Sequence, residues 1–438
     1  MRLECIFAHG LFHEADLLHR SHGGSTHQMQ TNLFVNSEIG RLREVICHPP
    51  GPELLAVTPM TRQEYLYDDI IDLDGAMDEH RRFTSILSRF ATVLDVRTLL
   101  EQTLENEDAR NFLIERSIEI TAFRSLSDLK NVAPAELARC YIEGSSIPSG
   151  AFARKLELEN YALPPLPNLF FTRDASMVIG DQAVVSAMRF SSRWPEEALM
   201  RTIYGYHPRF ADPNILYDGS DERRKGITLE GGDVHVISDD TVLVGLSERT
   251  SPSALDELCE LLFTSTKITE VLTIVLPERS TAIHLDMVWS QIDHNICVAY
   301  GPLFHGTSRA PVLHRRKGEE SVREADDLFK AFANIGIKME PVYCGGDLPP
   351  RREREQWASG CNFFAVAPGQ ALSYRRNHGT LEALEKAGFR LVDAEAFLLG
   401  DEEVAEDDKV ILTFAGPELV RGGGGPRCMT CPVKRDPI

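Results

Sequence analysis

The segment Ser176–Ser186 reads SMVIGDQAVVS, two short apolar runs on either side of a Gly-Asp turn. Runs rich in Val and Ile that flank such a turn are typical of a two-strand hairpin. The same pattern returns at three later places along the chain, namely Asp233–Gly245, Met287–Tyr300 and Asn362–Tyr374. A pattern that recurs in this way indicates one structural unit used several times.

A helix and a further strand complete these units. The predicted helices are Glu196–Tyr206, Ser253–Leu262, Ala325–Ile335 and Thr380–Ala387. Ser253 and Thr380 are predicted to cap their helices, because they follow Pro252 and Gly379 at helix-start signals. The predicted closing strands are Val271–Leu276, Lys338–Tyr343 and Arg390–Ala394, and Leu42–His48 could belong to a fifth unit. We therefore expect an α/β fold of repeated β-β-α-β modules around a pseudo-symmetry axis.

Residues 75–160 interrupt the repeats with helical patterns. Three helices are predicted there: Asp78–Leu94, Glu107–Leu126 and Ala133–Ile142. Because no hairpin signal separates them, we interpret this stretch as a helical insertion within the repeat scaffold.

The first 28 residues stand apart from the rest of the chain. They contain five histidines: His9, His13, His19, His22 and His27. The stretch lacks the apolar region and cleavage site of a signal peptide. The histidine spacing matches no metal motif, so a disordered extension upstream of a natural start at Met29 is favoured over a metal-binding tail. Residues 29–438 are then expected to form a single domain.

Composition restricts the class of protein. The chain has 438 residues, 43% of them hydrophobic and 26% charged, which is typical of a folded globular protein. We see no apolar stretch near the roughly 20 residues that would span a bilayer. The formal net charge of −20 argues against nucleic acid, whose phosphates need basic patches. Nine scattered cysteines form no disulfide framework and indicate a reducing compartment, so we expect a cytoplasmic protein.

Near the C-terminus, Arg421–Pro432 reads RGGGGPRCMTCP, which sets a cysteine behind four glycines. Such a loop can bend sharply or lie close to a ligand. An exposed thiol at its edge can act as a nucleophile. Cys428 and Cys431 also form a C-x-x-C, but a zinc site needs two further ligands, and a redox motif should open a helix after a strand. A nucleophilic Cys428 is therefore favoured over a metal or redox pair.

Polar residues stand where the chain enters successive hairpins. They are Asp174, Glu230, Asp233, His284, Asp286 and Asn362. Each alone has a structural explanation, such as a turn-capping aspartate or a hydrogen-bonded core histidine. If the modules share an axis, these residues converge near Cys428. Gathered carboxylates repel one another and raise their pKa values, so such a cluster is expected to hold a cation.

A guanidinium suits this cluster better than a divalent metal. It is planar, always protonated and pairs with carboxylates through two parallel hydrogen bonds. Its central carbon is also an atom that a thiolate can attack. A bound cation would favour the thiolate form of Cys428 over the thiol.

These motifs resemble the arginine deiminase family of the guanidine-modifying (pentein) superfamily. The resemblance extends over nearly all of the chain from about Asn32 and rests on Ser37–Arg43, Leu66–Asp69, Pro167–Asp174, Leu229–Asp233, Ser247–Ser251, His284–Asp286 and Arg427–Pro432. It implies a five-bladed α/β propeller with a helical insertion, in which residues 29–438 form one pentein catalytic domain. It also implies hydrolysis of free L-arginine to L-citrulline and ammonia without a cofactor or metal.

The resemblance assigns expected roles to particular residues. Cys428 would be the nucleophile that forms an amidino-cysteine intermediate. His284 would protonate the departing ammonia and then activate water, while Glu230 orients it. Asp174 and Asp286 would clamp the guanidinium. The expected substrate-binding residues are Arg193 and Arg249, which would hold the α-carboxylate, together with Asn168, Phe171 and Asp233, the last as a support for the site.

One position departs from the family. Some relatives carry an arginine in the glycine run that caps the empty pocket, and this chain has Gly423 there. Arg421 or Arg427 could substitute for it. The sequence leaves this choice open.

Several other functions remain open from sequence alone. A related enzyme of the superfamily could act on agmatine, methylated arginine or peptidyl arginine, but Arg193 and Arg249 favour a substrate with an α-carboxylate. A non-catalytic arginine sensor is opposed by the complete set of Cys428, His284 and Glu230. A metalloprotein built on the histidine-rich tail is a third alternative. The small-molecule partner is expected to be L-arginine, with no nucleic acid or membrane partner, and the chain could form a homo-oligomer.

Overall fold

The chain is described by a computed structural model for residues 33–121, 127–146, 151–155, 161–210, 214–220, 226–346 and 348–438. The expected extension of residues 1–28, with its histidines, lies outside the described residues. Among the described helices, none is both long and apolar enough to cross a membrane.

Strands and short helices alternate along most of the described chain. The strands are β1 Leu42–Cys47, β2 Thr92–Asp95, β3 Ser145–Ser146, β4 Tyr161–Leu163, β5 Ser176–Ile179, β6 Gln182–Val185, β7 Asn214–Asp218, β8 Val234–Ser238, β9 Thr241–Leu246, β10 Glu270–Val275, β11 Trp289–Asp293, β12 Ile296–Ala299, β13 Val312–Arg316, β14 Arg323–Ala325, β15 Glu340–Tyr343, β16 Phe364–Ala367, β17 Gln370–Tyr374, β18 Arg390–Asp393, β19 Val410–Phe414 and β20 Cys431–Arg435. The helices are α1 Leu73–Leu87, α2 Val96–Thr103, α3 Glu107–Thr121, α4 Pro134–Glu143, α5 Ala151–Lys155, α6 Thr172–Ala175, α7 Trp194–Tyr206, α8 Pro252–Ser265, α9 Leu328–Asn334, α10 Arg351–Trp357, α11 His378–Lys386 and α12 Ala394–Leu399.

Four hairpins form where the sequence predicts them, and a parallel strand completes each one. The pairs β5–β6, β8–β9, β11–β12 and β16–β17 are antiparallel. The second strand of each hairpin then pairs in parallel with β7, β10, β15 or β19. Helices α7, α8, α9 and α11 lie in the connections. A helix in the crossover is what a parallel pair requires, because two parallel strands cannot be joined by a tight turn.

A fifth sheet joins the two ends of the described chain. Strand β1 pairs in parallel with β2 and antiparallel with the C-terminal strand β20. Helix α1 connects β1 to β2, so these four elements repeat the pattern of the other units. The prediction that Leu42–His48 belongs to a fifth unit is therefore confirmed.

The expected helical insertion begins later than predicted. The helix predicted over Asp78–Leu94 ends at Leu87, and β2 occupies Thr92–Asp95. The β-branched Thr92 and Val93 favour a strand there, and β1 supplies the partner. Helices α2 to α5 follow as the insertion, although residues 122–126, 147–150 and 156–160 lie outside the described part.

Two other predicted elements differ in extent. The helix predicted over Ala325–Ile335 is only Leu328–Asn334, because Arg323–Ala325 forms the edge strand β14 against β13. In the last hairpin sheet, Arg390–Asp393 does not pair with the hairpin strands. It lies at the outer side of β19, which itself pairs with β17.

The predicted helix caps are wrong by a few residues. Ser251, not Ser253, caps α8 and accepts a hydrogen bond from the Ala254 amide. Pro252 is then the first helical residue, where a missing N–H costs nothing. Helix α11 already begins at His378, so Thr380 lies inside it. Its amide is bonded to the Glu355 carboxylate, which caps this helix from α10.

Segments in or beside neighbouring sheets are joined by hydrogen bonds. The contacts join Val35 to Gly180, Ala187 to Leu229, Leu285 to Asp233, Ser290 to Cys361, and Arg435 to Ala365. They link each sheet to the next along the chain and the last hairpin sheet to the sheet of β1 and β20.

Candidate active site

A cavity of about 180 Å³ lies among the hairpin entries and the glycine-rich loop. It is lined by Leu66, Asp68, Asp69, Asn168, Phe171, Asp174, Arg193, Arg249, Ser280, Ile283, His284, Met287, Trp357, Val420, Arg421, Gly422, Gly423, Gly424 and Cys428. Its walls therefore include seven of the ten residues that the sequence nominated, Cys428 among them. Glu230, Asp233 and Asp286 lie directly behind this surface.

Cys428 is buried at the cavity, with 5% of its surface exposed. Its Sγ lies 3.1 Å from Nδ2 of Asn362, which donates to it, and 3.5 Å from Oδ2 of Asp286. Burial, together with the negative charges of Asp286 and Asp174, raises the pKa of the Cys428 thiol well above its usual value. The expectation of an exposed thiol is wrong, because the glycine loop folds against Phe171 and Asn362.

Two glycines explain how this loop reaches the cavity. Gly423 has φ of +86°, in the left-handed region that side chains rarely adopt. A Cβ on Gly424 would collide with the ring of Phe171. Only glycine allows the backbone to pass this aromatic wall and bring Cys428 to the cavity.

His284 lies beside the carboxylates of the cavity, immediately before the short helical turn Leu285–Met287 that leads into β11. Its Nε2 lies 2.8 Å from Oε2 of Glu230, and its Nδ1 lies 3.8 Å from Oδ1 of Asp174. Burial opposes a charge on the ring, but Asp174, Glu230 and Asp233 outweigh it and raise the pKa of His284 to about 9. At neutral pH the imidazole is therefore protonated and can deliver a proton.

Glu230 is the fully buried carboxylate that holds this histidine. Its Oε2 also accepts from Nη1 of Arg249 at 3.1 Å, and its Oε1 accepts from the Arg189 amide at 2.9 Å. Burial alone would raise the pKa of Glu230, but Arg249 and His284 hold it far below its ordinary value. Glu230 thus remains ionised beside His284.

The two aspartates each have one engaged and one free oxygen. Oδ2 of Asp174 accepts from Arg193 at 2.8 Å, and Oδ2 of Asp286 accepts from Arg427 at 3.1 Å. Oδ1 of each is buried without a hydrogen-bond partner among the described residues. A buried carboxylate oxygen in this state is costly unless a donor reaches it. Both atoms fit the N–H groups of a cationic ligand.

Arg193 and Arg249 line the cavity but already contact acidic side chains. Arg193 donates from Nε and Nη2 to Glu196 at 2.9 and 2.7 Å, besides its bond to Asp174. The guanidinium of Arg249 lies 4.8 Å from the ring centre of Phe190. Both are therefore held in place before any ligand arrives. The buried Nε of Arg249 has no partner among the described residues.

The remaining nominated residues divide between the cavity wall and its support. Asn168 and Phe171 line the cavity, and Nδ2 of Asn168 donates to the Tyr65 carbonyl at 2.8 Å. Asp233, expected among the substrate-binding residues as a support for the site, does not line the cavity itself. Its oxygens accept from the Leu285 amide and the Ser247 hydroxyl, and burial raises its pKa to about 7. Asp233 therefore ties together the loops that carry His284 and Arg249.

Sequence reasoning missed a buried ion-pair network beneath Cys428. The Arg427 guanidinium contacts Glu38 through Nε and Nη2 at 3.0 and 3.1 Å, in addition to Asp286. Glu38 belongs to a nominated motif but received no role. Asn362, at the entry to its hairpin, contacts the sulfur, although the resemblance implies no role for it. Its position, shared with the other hairpin entries, was the signal that could have identified it.

The two candidates for a capping arginine lie in different places. Arg421 is at the cavity mouth, where its Nη2 lies 2.9 Å from Oδ2 of Asp69. Arg427 is fully buried and does not line the cavity. Only Arg421 is therefore positioned to cover the opening.

A metal would find three grouped ligand atoms here, on Asp174, Glu230 and His284. However, His284 and Glu230 already bond directly to each other, and Asp174 and Glu230 each pair with an arginine. These cationic side chains already neutralise the carboxylate charge that would otherwise stabilise a bound metal ion. The donor set suits a guanidinium better than an ion.

Comparisons with known proteins agree with this chemistry. A family model described as arginine deiminase matches residues 63–435. The arginine deiminase of Rhodococcus opacus is 33% identical over 423 residues, which cover 93% of this chain and 98% of that protein. The arginine deiminase of Mycobacterium avium is 32% identical over 428 residues, with 93% and 99% covered.

Solved structures with little sequence identity share the fold. A dimethylarginine dimethylaminohydrolase adduct with S-methyl-L-thiocitrulline has a TM-score of 0.50 at 13% identity, covering 89% of this chain and 99% of that one. The N-terminal domain of an ArgZ variant, covalently bound to a reaction intermediate, also has a TM-score of 0.50 at 13% identity, covering 90% and 98%. The fold is thus the mixed α/β pentein fold of these enzymes.

Fold and family model together define a guanidine-modifying enzyme of the pentein class. Within that class the match is more specific, since one family model covers most of the chain and relatives of the same family align along nearly all of it. The chain belongs to the arginine deiminase family.

Proposed function

We propose that this chain hydrolyses free L-arginine to L-citrulline and ammonia through a covalent amidino-cysteine intermediate. The overall reaction is that of the family to which the chain belongs. The observation that carries the proposed mechanism is the placement of Cys428 and protonated His284 on one cavity with two unpartnered aspartate oxygens.

Substrate binding places the guanidinium between Asp174 and Asp286. Their unpartnered Oδ1 atoms accept its N–H groups, and two charge-assisted contacts fix its plane. Burial and the negative charges of Asp286 and Asp174 keep Cys428 a thiol, and the bound cation offsets those negative charges. The thiol proton then leaves to solvent, and the thiolate is produced only when the substrate is bound.

The first chemical step joins Sγ of Cys428 to the central guanidinium carbon. The resulting tetrahedral intermediate collapses with loss of one terminal nitrogen, which takes a proton from His284 and departs as ammonia. Glu230 balances the charge on the imidazolium before transfer and keeps the ring in position. The product of this step is the amidino thioether on Cys428.

The second step uses the neutral His284 that remains. It accepts a proton from water, and the hydroxide attacks the same carbon. Collapse of this second tetrahedral intermediate breaks the C–S bond and returns the thiolate, and the hydroxyl proton leaves to solvent as the carbonyl of citrulline forms. One residue thus serves as acid and then as base, as microscopic reversibility of the two half-reactions allows.

Specificity for the free amino acid rests on Arg193 and Arg249. Both line the cavity with the aspartates, and we propose that they receive the α-carboxylate. Agmatine has no carboxylate to pair with them. A peptidyl arginine would have to fit its flanking chain into a cavity of about 180 Å³.

We also propose that the five main sheets are the blades of a closed α/β propeller. The contacts between successive sheets, and between the last hairpin sheet and the sheet of β1 and β20, support this arrangement. Residues 29–438 then form a single catalytic domain. Eight free cysteines among the described residues support a reducing cytoplasmic location.

A citrulline assay tests the activity directly. Purified protein is incubated with L-arginine, and citrulline and ammonia are both measured. We expect them to form in equal amounts. Saturable arginine binding without citrulline would instead support a non-catalytic arginine sensor. Mass spectrometry of the enzyme quenched during turnover tests the mechanism, because an amidino adduct should map to Cys428, and an adduct on another residue would overturn the assignment.

A further inference from the structure

Beside the mouth of the active site lie two adjoining cavities of about 350 and 420 Å³. Both are lined by Pro350, Arg354, Ala358 and Arg376, so together they form one groove. We call it the rim groove. Nothing in the proposed arginine chemistry uses Arg354 or Arg376.

The two arginines of the rim groove carry unbalanced charge. Neither Arg354 nor Arg376 forms an ion pair or a side-chain hydrogen bond with the residues that the structure describes. Two glutamates also line the groove and each accepts from an arginine, while Oε2 of Glu353 is buried without a hydrogen-bond partner among the described residues. Glu355 accepts from Arg351 and from two backbone amides, and Glu353 accepts from Arg352.

This surplus stands out in a chain with a formal net charge of −20. Two free guanidinium groups on the walls of one concave site present several fixed N–H donors to a ligand. Guanidinium forks match the oxygens of a phosphate group and can bind it through paired hydrogen bonds. Two positive charges also match the charge of a phosphate dianion.

We propose that the rim groove binds a phosphate dianion, either free or as the terminal group of a small phosphate monoester. Arg354 and Arg376 would hold the phosphate oxygens. Trp357 is 46% exposed on the wall of the larger cavity and offers an apolar face to the rest of an ester.

The rim groove is continuous with the active-site mouth. Trp357, Val420 and Arg421 line both the larger groove cavity and the catalytic cavity. A ligand in the groove therefore contacts side chains that border the path of arginine. This part of the inference rests on the proposed function, and it means that phosphate and arginine should alter each other's affinity by the same factor.

Binding is tested with inorganic phosphate and with AMP as a phosphate monoester, at constant ionic strength, by calorimetry. We expect saturable binding of one equivalent. Arg354→Gln and Arg376→Gln should each weaken it by about tenfold, since each removes one charge-assisted contact. Arg375→Gln is the matched control, because Arg375 is the neighbouring residue, is already paired with Asp393 and does not line the groove.

The outcomes separate the sources of the phosphate. Equal affinities for the two probes assign the site to the phosphate group alone, whereas tighter AMP binding that Trp357→Ala abolishes assigns it to an ester. Absence of binding up to about 10 mM, or equal weakening by Arg375→Gln, overturns the proposal. Normal citrulline formation in the same preparation would show that the arginine reaction stands even if the rim groove fails.

Discussion

The floor and the mouth of the active-site cavity hold their charges in opposite ways. On the floor, Asp174, Glu230 and His284 are almost completely buried, and their contacts with one another and with Arg193 and Arg249 are fixed. At the mouth, Arg421 and Asp69 form an ion pair that remains largely open to solvent. An ion pair therefore contributes a different free energy in the two regions.

The difference follows from solvent screening. Water weakens the exposed pair to a small net contribution, and the side chains lose freedom when they form it. The buried charges have lost their hydration, so removing one partner leaves the other uncompensated. Substitutions on the floor should therefore produce far larger effects than substitutions at the mouth.

The largest effect is expected for the nucleophile, and the chain supplies its own control. Cys428→Ser should lower kcat by about 10⁴-fold or more, because a hydroxyl is a much weaker nucleophile and no base activates it in the first step. Cys431 lies in β20, where its Sγ contacts the Ser176 carbonyl and not the cavity. Cys431→Ser should therefore retain most turnover in a citrulline assay. Comparable losses in both variants would remove Cys428 from its proposed role.

The next largest effect concerns the proton on His284. Glu230→Gln removes a charge and a hydrogen-bonded partner, so the raised pKa of about 9 should fall toward the ordinary 6.5. His284 is almost fully protonated well below its pKa and almost fully neutral well above it. The high-pH limb of the kcat profile should therefore move to lower pH, and kcat should fall by about 10²- to 10⁴-fold.

The control for this variant is Glu196→Gln, which removes another buried carboxylate that pairs with Arg193 but does not contact His284. Steady-state profiles between about pH 6 and 10 give the measurement, because the usual His value lies inside that range. A limb that stays in place in Glu230→Gln would contradict the proposed coupling. Folding of both variants is checked first by thermal unfolding.

The raised pKa of His284 also makes the free energy of unfolding depend on pH. Because the folded-state pKa of His284 is raised, its contribution to stability is fully present below about 6.5 and is lost as pH rises through about 9. Glu230→Gln should therefore flatten the decrease in unfolding free energy over that interval. This comparison does not depend on catalysis.

Parts of the fold could be predicted because their signals are local. Hairpins such as Ser176–Ser186 place apolar runs on both sides of a turn within a dozen residues. Strand β13 and the edge strand β14 could not be recognised, because VLHRR and REA are too short or too charged to show a strand pattern. The pairing of β20 with β1 joins the two ends of the chain, and no local pattern reports it.

The candidate site likewise contains residues that the sequence could predict and contacts that it could not. The residue types of the floor were visible at equivalent positions of successive units, so Asp174, Glu230, His284 and Asp286 could be nominated. The bond between Glu38 and Arg427 joins residues 389 positions apart and was invisible. The burial of Cys428 was also missed, since a glycine run normally indicates an exposed loop and its covering residues come from elsewhere.

A smaller effect is expected where the substrate carboxylate is held. Arg249→Lys keeps a positive charge beside Glu230 but loses the planar fork that can bind a carboxylate through two hydrogen bonds. The KM for arginine should rise by about 10- to 100-fold, while kinetics with agmatine, which has no carboxylate, should not change. Unchanged arginine kinetics, or improved agmatine turnover alone, would contradict the assignment of a free amino acid substrate.

The smallest effect is expected at the mouth. Arg421→Gln removes the exposed pair with Asp69, and KM for arginine should change by less than about threefold because solvent already weakens this contact. The change should also shrink as salt is added, since screening acts on exposed charges. Arg249→Lys, measured in parallel, should keep its larger effect at high salt. A tenfold or greater change in Arg421→Gln would mean that the mouth, although open to solvent, controls substrate entry as strongly as the floor controls binding.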